Sequence, residues 1–364
     1  MKPKLRFSNF INDYEIKDVS DITSNISSGK ISKQLEDGEY NVYGSMGIIG
    51  KSNFYDYAGE KVLVARVGAN AGSVNKINEK CCISDNTLVL EPKDVLNDYL
   101  YYALSHYNPK KLIFGSGQPL VTGGQLKKIK LGIPSKEEQI KVSNFLSLLD
   151  KKIELQSKKI EDLKLFKMST LDKYFNKDTC KEKALLKKYC SCLTGKSKAD
   201  KVDINGNYYI MDMGTVNSDG NILKTKPTFC NLDLLSYGDL VMPKDDIGGG
   251  LIIGKTGFID EDNKYVLGDH VYLLKVKDIN SLFLHYQINS KYINKQLKRK
   301  VTGSAQLGLK SDNILNQEIY IYSEEEQKKI SNIFKLIDRK IELETEKIFK
   351  LINLKKGLMQ NMFV

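Results

Sequence analysis

One constant shift lays this chain over itself. Glu137-Glu138-Gln139 recurs as Glu325-Glu326-Gln327, and the same shift, without a gap, carries Gly115-Ser116-Gly117-Gln118 onto Gly303-Ser304-Ala305-Gln306. It also carries Asp150-Lys151-Lys152-Ile153-Glu154-Leu155 onto Asp338-Arg339-Lys340-Ile341-Glu342-Leu343, and Phe175 onto Phe363. A period this long exceeds that of any small solenoid unit. It implies two copies of one domain-plus-helix module, and a pseudo-twofold molecule suited to a two-sided target.

The 364 residues leave room for two domains, each with its own core. A net charge of +11 favours polyanionic partners, nucleic acid first, with an acidic protein as the alternative. No run approaches the roughly 20 apolar residues that span a bilayer, and the basic start leads into no apolar signal segment, so no membrane association and a cytoplasmic location are expected. The six cysteines lack zinc-ligand spacing and read as free thiols; no metal site is expected.

Each module reads as glycine-punctuated strands, a shorter helical stretch and a long amphipathic helix. Candidate strands are 40–43, 48–49, 62–65 and 87–90 in the first copy, and 208–211, 239–242, 251–253 and 271–276 in the second. Helices are expected at 98–105 and 281–299. Ser135-x-x-Glu138 and Ser323-x-x-Glu326 are capping boxes that open the long helices. Behind the first box Val142, Leu146, Leu149, Ile153, Gln156, Ile160 and Leu163 form a seam with steps of three and four. Behind the second the same seam is Ile330, Phe334, Ile337, Ile341, Glu344, Ile348 and Leu351. This spacing is that of a left-handed coiled coil, and the polar seam positions Gln156 and Glu344 would fix an antiparallel register that places them near one another. A helix over 135–175 would reach roughly 60 Å, long enough to act as a spacer.

Catalytic motifs are missing. Residues 249–256 match the phosphate-loop pattern, but the loop interior is Leu-Ile-Ile and Gly257-Phe258-Ile259 reads as strand where a helix is required. No motif for methylating an exocyclic amine, no nucleophile elbow and no zinc-protease helix occurs.

The repeated Gly-Ser-Gly-Gln/Gly-Ser-Ala-Gln segment, Ile133-Pro134 before Glu-Glu-Gln, and a helix carrying Asp150 and Ile153 resemble the specificity subunit of type I restriction-modification enzymes. So do Val42-Tyr43-Gly44-Ser45-Met46-Gly47-Ile48-Ile49-Gly50, Arg66-Val67-Gly68 and Ala71-Gly72. The likeness implies an α/β (α+β) architecture: two β-rich target-recognition domains at 1–133 and 179–322, separated by two long antiparallel coiled-coil helices at 134–178 and 323–364. It further implies a non-catalytic reader of a bipartite, asymmetric double-stranded DNA target. Two methyltransferase (modification) subunits and translocase/nuclease (restriction) subunits would be its partners, with S-adenosylmethionine, ATP and Mg bound by those partners and no cofactor in this chain. Candidate DNA contacts, chosen as donor-bearing residues in loops, are Tyr43, Ser45, Lys51, Arg66, Asn70 and Gln118 in the first domain and Lys244, Lys255, Lys264 and Gln306 in the second. Two other classes stay open: a self-contained nuclease or nucleotide-dependent enzyme built on residues 249–256, and a protein-interaction scaffold that binds no DNA.

Overall fold

Strand residues alternate between two cores in each half of the chain. Val62, Val64, Leu88 and Leu90 enter one cluster with the helices, whereas Leu63 and Val89, one position along, enter a second cluster with Ile77, Cys81 and Ile83. In the other half Leu240, Met242, Tyr272 and Leu274 face the helices, while Val241, Val271 and Leu273 face the opposite way. Period-two alternation with both faces apolar describes a sheet buried on both sides. Complete burial of each such aliphatic side chain is worth about 1.5–3 kcal/mol.

The computed structural model describes residues 1–30, 34–45, 47–113, 117–176, 181–303 and 306–364. Met46 and Cys180 lie outside the described residues, as do Gly115, Ser116, Ser304 and Ala305 of the repeated glycine-serine segment. The α-helices are α1 Asn97–Tyr107, α2 Gly123–Lys127, α3 Lys136–Tyr174, α4 Ser281–Asn289, α5 Lys291–Lys298, α6 Ser311–Leu315 and α7 Glu324–Met362. The chain divides into one unit of Met1–Ser157 with Glu346–Val364 and a second of Lys158–Thr345. Each unit holds one β-rich domain plus one end of both long helices.

The two units share a topology. In the first, a four-stranded antiparallel sheet runs in the order Thr23–Ser28, Thr87–Pro92, Glu60–Ala65, Val74–Asn78. A three-stranded sheet pairs Tyr40–Gly44 antiparallel with Gly47–Ser52 and parallel with Cys81–Ile83. Glu15–Asp18 pairs with Lys130–Ile133 just ahead of α3. In the second unit the corresponding sheets are Cys190–Thr194, Val271–Val276, Leu240–Pro243, Gly257–Phe258, and Tyr208–Met211 flanked by Pro227–Thr228 and, in parallel, Tyr265–Leu267. Lys183–Leu185 pairs with Glu318–Tyr320 ahead of α7.

Two of the expected elements change. Residues 251–253 form bends and a turn rather than a strand. The buried Asp246 carboxylate accepts the amides of Gly248, Ile252 and Ile253 at 2.6, 2.8 and 3.3 Å, so backbone groups that a strand would pair are committed to a side chain. The helix expected over 281–299 is two helices, because Ser290 sits at φ −60, ψ 151, outside helical space, and caps α5 with its own hydroxyl.

The repeated Glu-Glu-Gln has a structural explanation. Gln139 is buried, accepts the Leu96 amide at 2.9 Å and donates to the Pro134 carbonyl at 3.0 Å. Gln327 repeats this with the Asn280 amide and the Tyr322 carbonyl, both at 2.8 Å. Leu96 and Asn280 are the N-caps of α1 and α4, so one glutamine ties the start of the short helix to the start of the long one in each unit. The capping boxes differ. Glu326 reaches back to the Ser323 amide at 3.0 Å and completes its box, whereas Glu138 is drawn away to Arg6 (2.6 and 2.7 Å) and to the Tyr14 hydroxyl at 3.0 Å. In the first copy only the serine half forms, with the Glu138 amide 3.4 Å from Ser135 Oγ.

Within each unit the two long helices run antiparallel. In the first, Val142 and Leu146 share a core with Met362 and Phe363, and Asp150 pairs with Lys355. In the second, Lys159 pairs with Glu344 at 2.9 Å, Lys167 with Asp338 at 2.6 Å, and Leu171 and Phe175 share a core with Phe334 and Ile330. None of the fourteen seam residues is exposed. Val142, Leu146, Ile330 and Phe334 belong to the domain cores, while Leu149 and Ile337 pack against them; Ile153, Gln156, Ile160, Leu163, Ile341, Ile348 and Leu351 are half-buried. Glu344 is not a bare polar layer: it is fully buried with both Lys159 and Lys340 on its carboxylate.

Candidate nucleic-acid interface

In the first unit the hairpin of Tyr40–Gly44 and Gly47–Ser52 carries three of the residues singled out from sequence, Tyr43 and Ser45 at its turn and Lys51 opposite Asn41 near its open end. The Tyr43 hydroxyl donates to Glu79, which also accepts from Asn41 at 3.1 Å, and Lys51 Nζ donates to Asn41 Oδ1 at 2.8 Å. Tyr43 and Lys51 thus belong to one network. Burial, then the Glu79 carboxylate, pushes the Tyr43 phenol up to about 12, while hydrogen bonds from Tyr43 and Asn41 hold Glu79 below the usual carboxylate range. Ser45 Oγ donates to the Asn86 carbonyl at 3.1 Å, which also accepts the Arg66 amide at 2.9 Å, so Ser45 and Arg66 meet at one corner. The Arg66 guanidinium has no hydrogen-bond partner among the described residues and keeps its planar fork of donors available. Asn70 is half-buried in the turn that follows, its carbonyl accepting the Ser73 amide; Gln118 is exposed.

In the second unit the candidates are dispersed. Lys264 and Lys224 both lie over the Tyr209 ring at 5.8 Å, a cation–π pair of lysines on one aromatic. Lys244 lies 5.9 Å over Tyr272, and Gln306 is exposed. Lys255 lies elsewhere, its Nζ donating to the Asn289 carbonyl at 3.1 Å in a recess beside α4. The phosphate-loop pattern is therefore accounted for without phosphate: the amides that would cradle one are filled by Asp246, and Lys255 opens no helix but leads into the strand Gly257–Phe258.

Sequence reasoning missed Glu79, Asn41 and Lys224, which no spacing marks. Asp212, Asp269 and His270 offer ligand atoms within 4.8 Å of one another. Lys226 already holds Asp212 at 2.8 Å and depresses its pKa against the opposing effect of burial, so one of the two carboxylates is already compensated.

Two units of one topology, presenting different donors on one scaffold, define a duplicated recognition protein. Residues 11–165 and 190–353 match the type I restriction modification DNA specificity domain, and the chain belongs to that family. Family membership makes it a DNA-recognition subunit, not a catalytic one. The specificity subunit of the type I restriction enzyme MjaVIII from Methanocaldococcus jannaschii is 28% identical over 327 residues, 82% of this chain and 77% of the relative. A putative type I specificity subunit of Mycoplasma pneumoniae is 32% identical over 145 residues, 38% of this chain and 47% of its own length. Among solved structures, the S subunit of a type I restriction-modification system from M. genitalium superposes with a TM-score of 0.70 at 17% identity, covering 100% of this chain and 99% of that one. A chain from a study of assembly and conformational transition in the type I R-M system gives 0.57 at 12% identity, with 97% and 98% covered. At such identities the shared property is the fold. Among the described residues no helix is long and apolar enough to cross a membrane.

Proposed function

We propose that the chain reads an asymmetric, bipartite DNA sequence, one half per unit, and assembles with two DNA methyltransferase subunits of a type I restriction-modification system, to which restriction subunits are added. The observation that carries this reading is the combination of matched scaffolds with unmatched reading surfaces. Sheet order and the glutamine ties repeat between units, while the Tyr43–Glu79–Asn41–Lys51 network of the first has no counterpart in the two-residue strand Pro227–Thr228 that takes its place in the second. Shared architecture with different donors is what two half-sites of different sequence require.

Two partner copies are supported by the outer faces of the helices. Leu148 and Leu155 are exposed in the first unit, and their repeat equivalents Leu336 and Leu343 in the second; Phe166 and Leu354 form a third such pair. Exposed apolar side chains repeated with the period of the fold support a reading of two equivalent docking surfaces. S-adenosylmethionine, ATP and Mg belong to the partner subunits in this reading.

Exchange of residues 1–133 for the matching domain of a relative tests the reading. Methylation mapping should show one half of the recognised sequence changed and the other retained; a change in both halves, or in neither, would sink it.

A further inference from the structure

The second unit contains a recess of about 570 Å³ between α3, α4, α5, the middle of α7 and the loop around Asp219. Its walls carry a net excess of three positive charges. Lys291, Lys295 and Lys298 follow helical spacing on α5, whose opposite face, Ile293 and Leu297, is buried, and all three lysines line the recess beside Asn294. Two of the wall's acids are already used: Asp219 holds Lys164 at 3.0 Å, and Asp338 holds Lys167 at 2.6 Å while accepting the Tyr286 hydroxyl at 2.8 Å. Asp172 is the third. Lys291, Lys295, Lys298 and Lys255 have no carboxylate within ion-pair distance among the described residues.

Lys255 is the deepest of these. Among the described residues only one of its three N–H groups has a partner, the Asn289 carbonyl at 3.1 Å. Burial, reinforced by the charges of Lys298 and Lys167, pushes its ammonium down to about 8. A desolvated cation with unused donors, facing a cavity of ligand size, is stabilised by an anion that brings several oxygens. Apolar side chains beside it, Met168, Leu171, Leu251 and Ile341, supply a surface for an uncharged body attached to that anion.

The first unit does not repeat this arrangement. Where α5 follows α4, the first unit has a 3-10 turn at Pro109–Leu112. Placing Tyr102 on Tyr286, their hydroxyls both bound to the repeated aspartate, puts Tyr107 at Lys291 and Ser105 at Asn289.

We propose that the recess is a phosphate-binding site unique to the second unit, in which the Lys255 ammonium and the lysine face of α5 hold the oxygens of a phosphate group. A free nucleotide and the backbone of bound DNA both supply that group; the backbone case rests on the DNA reading above, the nucleotide case does not.

The test uses two probes. ATP is titrated calorimetrically into the full chain, and a labelled short duplex is titrated, across a salt series, into the complex with methyltransferase subunits. Lys255→Met and the surface pair Lys295→Glu/Lys298→Glu are compared with wild type. Loss of a charge-assisted contact should weaken one probe about tenfold. Weakened ATP binding assigns the site to a free nucleotide. Weakened duplex binding with a shallower salt dependence, and no ATP binding, assigns it to DNA backbone. Unchanged affinity for every probe that wild type binds overturns the site, while duplex binding that persists leaves the DNA reading intact; if wild type binds neither ATP nor duplex, the site is overturned as well. Should Lys255→Met fail to fold, the exposed double variant decides alone.

Discussion

Tyr102 donates its hydroxyl hydrogen to Asp150 at 2.7 Å, joining α1 to α3, and the same carboxylate takes the Lys355 ammonium of α7. The second unit repeats the triad as Tyr286, Asp338 and Lys167, at 2.8 and 2.6 Å. Asp338 is the repeat equivalent of Asp150 and Lys355 that of Lys167, so the long helices exchange donor and acceptor roles between units. Asp150→Ala strands a partly buried hydroxyl and an ammonium, and should lower unfolding free energy by about 1–3 kcal/mol. Tyr102→Phe should cost about 1 kcal/mol. Urea unfolding reads both, and an unchanged midpoint for Asp150→Ala would remove the triad's structural role.

Glu138 and Glu326 occupy one motif position in unequal surroundings. Glu138 is 1% exposed and neutralises Arg6, itself 12% exposed, so Glu138→Gln leaves a buried guanidinium uncompensated. Breaking such a pair typically costs about 3–5 kcal/mol. Glu326 is solvated, and Glu326→Gln preserves a side-chain oxygen that can reach the Ser323 amide; its effect should be small. Thermal unfolding of the two variants side by side checks the contrast, and equal losses would contradict it.

Acid should destabilise the second unit from about pH 6.5 downward. Burial, with help from Lys167 and Lys255, pushes His285 down to about 3, and its ring stays neutral against Thr256 Oγ1 at 3.2 Å. The unfolded chain protonates near the ordinary histidine value of about 6.5, so stability is full above that pH and declines as pH falls from there towards about 3. The slope contributed by this one residue cannot exceed about 1.4 kcal/mol per pH unit. Glu326 acts lower: Lys181 and the Ser323 amide hold it at about 2, so its contribution is present above the unfolded carboxylate value of about 4.3 and is lost as pH falls through about 2. Between pH 6 and 5 His285 dominates this pair, and His285→Gln should flatten the dependence of the urea midpoint there.

The duplication, the long helices and the apolar seam were legible because each rests on spacing within one polymer: a single long offset for the repeat, steps of three and four for the helices. What stayed hidden depends on residues far apart in sequence. Nothing near Ser135 announces that Arg6 and Tyr14 will take Glu138 out of its capping box. Nothing in Leu251-Ile252-Ile253 reveals that Asp246 will claim its amides and turn an apolar run into a loop. The DNA candidates suffered most, since the Lys51–Asn41 pair of the hairpin joins Tyr43 in one network through Glu79 only when the hairpin meets Cys81–Ile83. Lys255 was singled out as a loop lysine, yet its setting is fixed by α4 and α5.

A heptad inserted into both long helices, after Glu154 and after Glu342, keeps the seam in phase. Seven residues at about 1.5 Å each add roughly 10 Å, close to three base pairs at about 3.4 Å. The gap between the two recognised half-sequences should lengthen by about three base pairs, read by methylation mapping. Retention of the original gap would show that the helices do not set it.

Leu148 and Leu336 are 68% and 71% exposed, and Leu155 and Leu343 stand seven residues beyond them, two helical turns further along each helix. Leu148, Leu155 and Leu336 lie mostly in solvent, so a charge at those three should leave unfolding free energy within about 0.5 kcal/mol of wild type, whereas Leu343, 37% exposed, should cost more. Burying that charge against an apolar partner surface is strongly unfavourable. Leu148→Glu/Leu155→Glu should therefore reduce the methyltransferase subunits bound per chain from two to one, Leu336→Glu/Leu343→Glu should do the same, and the quadruple variant should bind none. Light scattering of the purified complexes distinguishes these masses. A double variant that loses both partners at once would mean that they bind as a single body, and one that keeps both would place the docking surface elsewhere on the chain.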